Sequence, residues 1–144
     1  MKQRFHTQKI CTIVGLVFEG ITVAGMFFLA LFFRRPPQFI LDLIEAENLS
    51  QSEQQLIDFV FNFFAYFGLV FGILVATVFV INLFLFTKMI KGELSEEALR
   101  KTLLYQAIWG GISLLFNQLG GVLYLVSGIS GLNQIDAERP REGL

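Results

Sequence analysis

The chain has 144 residues, 54% of them hydrophobic with 13 glycines besides, a mean hydropathy of +0.62 and a formal net charge of −1. Soluble domains carry about 45–50% apolar residues with glycine counted in, so one transmembrane domain over 1–144 is expected, with no room for a soluble catalytic one. The near-zero charge excludes a strongly basic nucleic-acid binder. A single cysteine, Cys11, and a single histidine, His6, exclude an internal disulfide and a zinc cluster.

Three apolar runs, 10–33, 59–86 and 103–132, each exceed the roughly 20 residues that cross a hydrocarbon core as a helix. The first follows Lys2, Arg4 and Lys9, as in a signal peptide. It is longer than the roughly 7–15 residues of a secretory core, however, and after Ala24 and Gly25 it continues through Met26, Phe27, Phe28 and Leu29 without a cleavage site. An uncleaved first span is expected. Arg34, Arg35, Pro36 and Pro37 end it, because consecutive prolines stop a helix. Cys11 reads as an apolar filler and His6 as a solvated terminal residue.

Glu19 is the only carboxylate inside any of the three runs. A carboxylate at that depth costs a few kcal/mol and is a functional candidate by default. It shares a small and polar stripe with Thr12, Gly15, Thr22 and Gly25, spaced by three and four, and such a stripe faces protein rather than lipid. Two readings follow. Glu19 is a hydrogen-bonding group that holds helices together, partnered by Asn62, Asn82, Asn117, Gln106 or a tyrosine, or it carries protons or cations. The first is preferred, because no second intramembrane charge completes a relay.

The connector between the first two runs, outer loop 34–58, is acidic from residue 38 onward, with Asp42, Glu45, Glu47, Glu53 and Asp58. Phe39, Ile40, Leu43 and Ile44 recur at helical spacing, which predicts a short amphipathic helix on the membrane surface. Ser52 and Gln55 form a capping-box pattern that opens the next helix near Glu53.

The second run carries nine phenylalanines, read as lipid-facing bulk. Inside it Ala65, Gly68, Gly72 and Ala76 make a small-residue ladder, the sequence mark of a close helix contact. That contact lies within the monomer or between copies. Asn62 and Asn82 are separated by about 30 Å of helix and read as boundary markers. The inner loop 87–98 follows, with Ser95 as N-cap of a helix from Glu96.

The last run has two readings. As one helix it is about 45 Å long, beyond a core of about 30 Å. The polar stripe Gln106, Gly110, Ser113, Asn117, Gly121, Tyr124, Gly128 and Gly131 supports that form, with Tyr105 and Trp109 in an interfacial belt. Asn117, Gln118, Gly120 and Gly121 are instead turn residues, and a hairpin of 99–116 and 122–135 fits them. With the N-terminus inside, the hairpin puts Lys2, Arg4, Lys9, Lys88, Lys91, Arg100, Lys101, Arg139 and Arg141 inside and only Arg34 and Arg35 outside. That obeys the positive-inside rule better than the single helix does. The expected fold is all-α with three to four transmembrane segments, at about 10–33, 59–86, 99–116 and 122–135.

This order of basic N-terminus, first span, outer loop, second span and Gly-rich closing hairpin, above all Gly-Gly-Val-Leu-Tyr-Leu-Val-Ser-Gly-Ile at 120–129, resembles a family of small four-span membrane proteins of low-GC Gram-positive bacteria. These carry only a domain-of-unknown-function label. The resemblance implies a bacterial cell-membrane protein and brings no activity or catalytic residue with it.

Phosphate-binding loops, dinucleotide fingerprints, zincin motifs and nucleophile elbows are all missing from the sequence. No catalytic residue, cofactor site or metal site is expected, and the chain is not expected to be an enzyme. The candidate residues are Glu19 as a polar site and Gly15, Gly68, Gly72 and Ala76 as packing positions. Two functions fit them: an accessory or regulatory subunit acting through helix–helix contacts with another membrane protein or with itself, or a small oligomeric transporter or channel with Glu19 on the pathway.

Overall fold

The computed structural model describes residues 5–139, so the basic residues Lys2, Arg4 and Arg141 lie outside the described part. The fold is all-helical: α1 (His6–Arg34), α2 (Gln38–Ala46), α3 (Gln51–Lys91), α4 (Glu96–Ser113) and α5 (Gln118–Glu138). No strand occurs among the described residues. Two helices, α1 and α3, are long and apolar enough to cross a membrane. The chain divides into two compact units, Ile21–Val78 and Met1–Gly20 with Phe79–Leu144.

In the unit Ile21–Val78, α1 and α3 pack through the small-residue ladder. Ala65, Gly68 and Gly72 are buried. A Cβ at Gly68 would lie 3.0 Å from the Ala30 amide nitrogen and the Met26 carbonyl oxygen, and one at Gly72 would lie 3.3 Å from Met26 Cβ. Without a side chain at Gly68 the helices approach to backbone contact, while the space at Gly72 is taken by the Met26 and Phe27 side chains. Ala76, at the end of the ladder, is half-buried. Phe33 packs edge-on against Phe61 and stacks on Phe64, with centroids 5.4 and 5.2 Å away. On another face Phe59, Phe63, Phe67 and Phe71 stack at successive helical turns.

The short helix α2 buries none of its residues. Phe39 and Leu43 stand exposed on it, and Gln38 Nε2 donates to Asp42 Oδ1 one turn on. After it Asn48 takes a left-handed conformation (φ 47°), which asparagine tolerates at a helix end. The helix α3 starts two residues before Glu53. Its capping box is Ser50 with Glu53, not Ser52 with Gln55. The Glu53 carboxylate accepts from the Ser50 amide at 2.8 Å and from its hydroxyl at 2.7 Å, while the Glu53 amide reaches the Ser50 hydroxyl at 3.4 Å. An ionised acceptor holds the serine amide better than a neutral glutamine, which explains the shift in register.

In the other unit, α4 starts at its N-cap Ser95, which accepts from the Ala98 amide. The last apolar run is broken at 114–117, so it is two helices and not one. Asn117 is non-helical (φ −143°, ψ 79°), and its side chain accepts from the Gly120 amide as the N-cap of α5. The polar and glycine stripe read along one helix is therefore folded against itself. A Cβ at Gly110 would sit 2.6 Å from the Leu125 amide nitrogen, and one at Gly128 2.7 Å from the Ala107 amide nitrogen and the Leu103 carbonyl oxygen. The antiparallel pair is in backbone contact, which a larger residue at either glycine excludes. At its open end Arg100 pairs with Asp136 and Arg139 with Glu96, both at exposed positions.

Candidate functional site

The unit of Met1–Gly20 with Phe79–Leu144 has a polar centre built from four helices, and Glu19 lies in it at 1% exposure. The arrangement starts one turn earlier on α1. A Cβ at Gly15 would lie 2.5 Å from Tyr124 Cε1, so the missing side chain makes the seat for the tyrosine ring. From that seat the Tyr124 hydroxyl donates to Glu19 Oε2 at 2.6 Å. The ring is fixed on its other side by Phe86, edge-on with centroids 5.3 Å apart.

The second carboxylate oxygen accepts twice. Asn82 Nδ2 of α3 donates to Glu19 Oε1 at 2.8 Å, and Trp109 Nε1 of α4 donates to the same atom at 3.0 Å. Asn82 is held in turn, because the Tyr105 hydroxyl donates to its Oδ1 at 2.5 Å. Three of the helices present their groups one turn apart on one face: Gly15 and Glu19 on α1, Asn82 and Phe86 on α3, Tyr105 and Trp109 on α4. No Lys, Arg or His among the described residues forms an ion pair with Glu19. Three neutral donors replace a counter-ion.

A second polar layer lies nearer the N-terminus of α1. Thr12 donates to the Gln8 carbonyl at 2.7 Å, accepts from Gln106 Nε2 at 2.8 Å and stands 3.0 Å from the Ser127 hydroxyl. The Ser127 hydroxyl also lies 3.1 Å from the Gln8 carbonyl oxygen and 3.2 Å from Gln106 Oε1. Gln8 Nε2 reaches Ser130 Oγ and Gln134 Oε1, each at 3.2 Å. Gln8 Oε1 is buried without a protein partner. Thr12, Gln106 and Ser127 are all fully buried.

Glu19 lines none of the cavities beside Phe5 and Lys9, Ala30 and Ala65, Glu97 and Asp136, or Phe59 and Asn62. Among the described residues no three His, Cys, Asp or Glu side chains converge as metal ligands. The three hydrogen bonds of Glu19 tie α1 to α3, α4 and α5.

Of the candidate residues, Glu19 and Gly15 meet in this centre, whereas Gly68, Gly72 and Ala76 belong to the Ile21–Val78 unit. Within the polar stripe Thr12, Gly15 and Glu19 are buried, Thr22 is half-buried and Gly25 is exposed with no atom near its Cβ position. Asn82 is no boundary marker: it is 0% exposed and bonded to Glu19. Tyr105 and Trp109 turn their polar atoms into the protein instead of a belt, because the hairpin aims that face of α4 at Asn82 and Glu19. Asn117 and Gln106, considered as Glu19 partners, instead cap α5 and bind Thr12. Trp109 as a Glu19 donor was not anticipated. The signal available was its spacing of four from Tyr105 and of three from Gln106.

No protein-family model matches the chain, and neither curated proteins nor solved structures contain a match to it.

Proposed function

We propose that this is a non-enzymatic, multi-pass membrane protein that acts as an accessory or regulatory subunit, through helix–helix contacts with another membrane protein or with its own copies. One observation carries the reading: the polar groups around Glu19 and Thr12 are turned inward and mutually bonded, whereas large apolar side chains stand outward. Glu19 has three donors and lines none of the four cavities named above, while Val17, Ile21, Phe28 and Leu31 on α1 and Val70, Val80 and Phe84 on α3 are 57–69% exposed. Only 17% and 22% of the most apolar windows of α1 and α3 are buried. Water-soluble monomers rarely expose apolar patches beyond a few hundred Å², so lipid or partner helices are the natural cover.

The finer arrangement has four spans. The 18 residues of α4 and 21 of α5 give lengths of about 27 and 32 Å, which suit a core of about 30 Å. Both termini are cytoplasmic and the acidic α2 loop faces out, by the positive-inside rule. This is also the arrangement of the small Gram-positive family that the sequence resembles. Mild-detergent or nanodisc capture of the tagged full chain, followed by mass spectrometry and cross-linking, tests the function. One stoichiometric membrane partner, or a self-associated species, is expected. A lone monomer in every condition, in cells where its loss has a phenotype, refutes it.

A further inference from the structure

Beside the polar layers, at the end of the fold where α1 begins and α3 finishes, lies a cavity of about 400 Å³. Its size is within the roughly 300–1,000 Å³ of small-molecule sites. Lys9 and Lys91 line it with Gln8 and an apolar wall that includes Phe5, Met89 and Leu103. Among the described residues no acidic one lines it, and neither lysine is in an ion pair. The cluster around Arg100, Lys101 and Arg139 is different: it carries its own carboxylates, Glu96, Glu97 and Asp136. Two lysines without a described ion-pair partner and an otherwise mostly apolar lining match an amphiphile with one anionic head and a hydrocarbon tail.

We infer that this cavity binds the phosphodiester head of an anionic phospholipid at the cytoplasmic face, with Lys9 and Lys91 on the phosphate and the upper acyl chain against Phe5, Met89 and Leu103. Basic pockets between helices on that face are where anionic head groups settle. The inference rests on the membrane reading above, which supplies both the lipid and the face.

The test is native mass spectrometry of the delipidated full chain in neutral detergent, titrated with dioleoylphosphatidylglycerol and with dioleoylphosphatidylcholine. The wild type is expected to take up the glycerol lipid first. A Lys9→Gln/Lys91→Gln double variant should weaken that uptake about thirtyfold, roughly fivefold per lysine, and leave the choline lipid unchanged. An Arg100→Gln/Lys101→Gln control, with the same charge change, should bind like the wild type. Leu94→Glu keeps both lysines but sets an anion in the cavity wall, and should lose the lipid as well; it guards against a misfolded double variant, as does an unchanged unfolding midpoint. Equal uptake of the two lipids, or a double variant that still prefers the anionic one, overturns the inference. So does displacement of the lipid by an equal concentration of glycerol 3-phosphate, which would make the ligand a soluble phosphate ester. Alkaline-carbonate extraction separates the two readings. Wild type that stays in the membrane pellet but takes up no anionic lipid defeats the lipid site alone, whereas wild type released into the supernatant defeats the membrane reading and the site with it.

Discussion

Glu19 accepts from three donors on three helices, and that count sets what each substitution does. Glu19→Gln keeps an acceptor for Asn82 Nδ2 and Trp109 Nε1 and offers Nε2 to the Tyr124 oxygen, which accepts as readily as it donates. It should cost less than about 1 kcal/mol. Glu19→Ala leaves all three donors without an acceptor. At about 0.6 kcal/mol for a hydrogen bond in a membrane bundle, with a maximum near 1.7, the loss should be about 2 kcal/mol. Thermal unfolding in one detergent compares them. Equal midpoints for Gln and Ala would remove the register-fixing role. A Gln variant that is stable and captures its partner, yet fails to complement a knockout, would point to transport. Tyr124→Phe keeps the ring over Gly15 and deletes one donor, and should fall between the two.

At the scale of elements, the helix ends and the helix contacts answer to different forces. The Ser50 hydroxyl and amide hold the Glu53 carboxyl below its ordinary value of 4.5. The sign follows from linkage: a depressed folded pKa gives stabilisation that is complete above the unfolded value and is lost as pH falls through the folded one. The first turn of α3 should therefore fray as acidification takes the pH below that ordinary value of 4.5 and through the lower folded one. NMR titration of the Glu53 carboxyl and the Ser50 amide checks this, and the change in the serine amide should vanish in Glu53→Gln. The interior contacts answer to volume. Gly72→Leu drives a side chain toward Met26 Cβ and the Phe27 ring, and overpacking of that kind costs about 1–3 kcal/mol. Phe71→Leu removes one ring from a stack with Phe67 and should cost less, because such pairs contribute about 0.5–1.5 kcal/mol. Matched unfolding midpoints for the two variants would mean that α1 and α3 do not pack through the ladder.

For the whole molecule the testable quantity is threading. In a Cys11→Ser background, cysteines at Gln51 and Ala137, both exposed, should react oppositely with an impermeant thiol reagent on intact cells. Gln51→Cys should label from outside, and Ala137→Cys only after permeabilisation. Outside labelling at Ala137 would place the end of α5 opposite the start of α1, against the basic-residue balance.

The sequence by itself determined the features that depend on neighbours along the chain. Pro36 and Pro37 end α1, Ser95 starts α4, Asn117 starts α5, and uninterrupted apolar residues set the lengths of α1 and α3, all through the local backbone and the hydrogen bonds of its caps. It also marked Glu19 as exceptional, because one carboxylate in an apolar run is visible without any partner. The partners were decided only in tertiary structure. Asn62, Asn82, Gln106, Asn117 and Tyr124 are equivalent in a one-dimensional reading, since each is a polar group in or beside an apolar helix. Cross-helix register separates them, and register is set by how closely the backbones approach. Gly15 admits the Tyr124 ring, and Gly110 and Gly128 let α4 and α5 touch, which turns Tyr105 and Trp109 toward Asn82 and Glu19. A glycine shows in the sequence only that space is available, and the facing helix determines which side chain fills it.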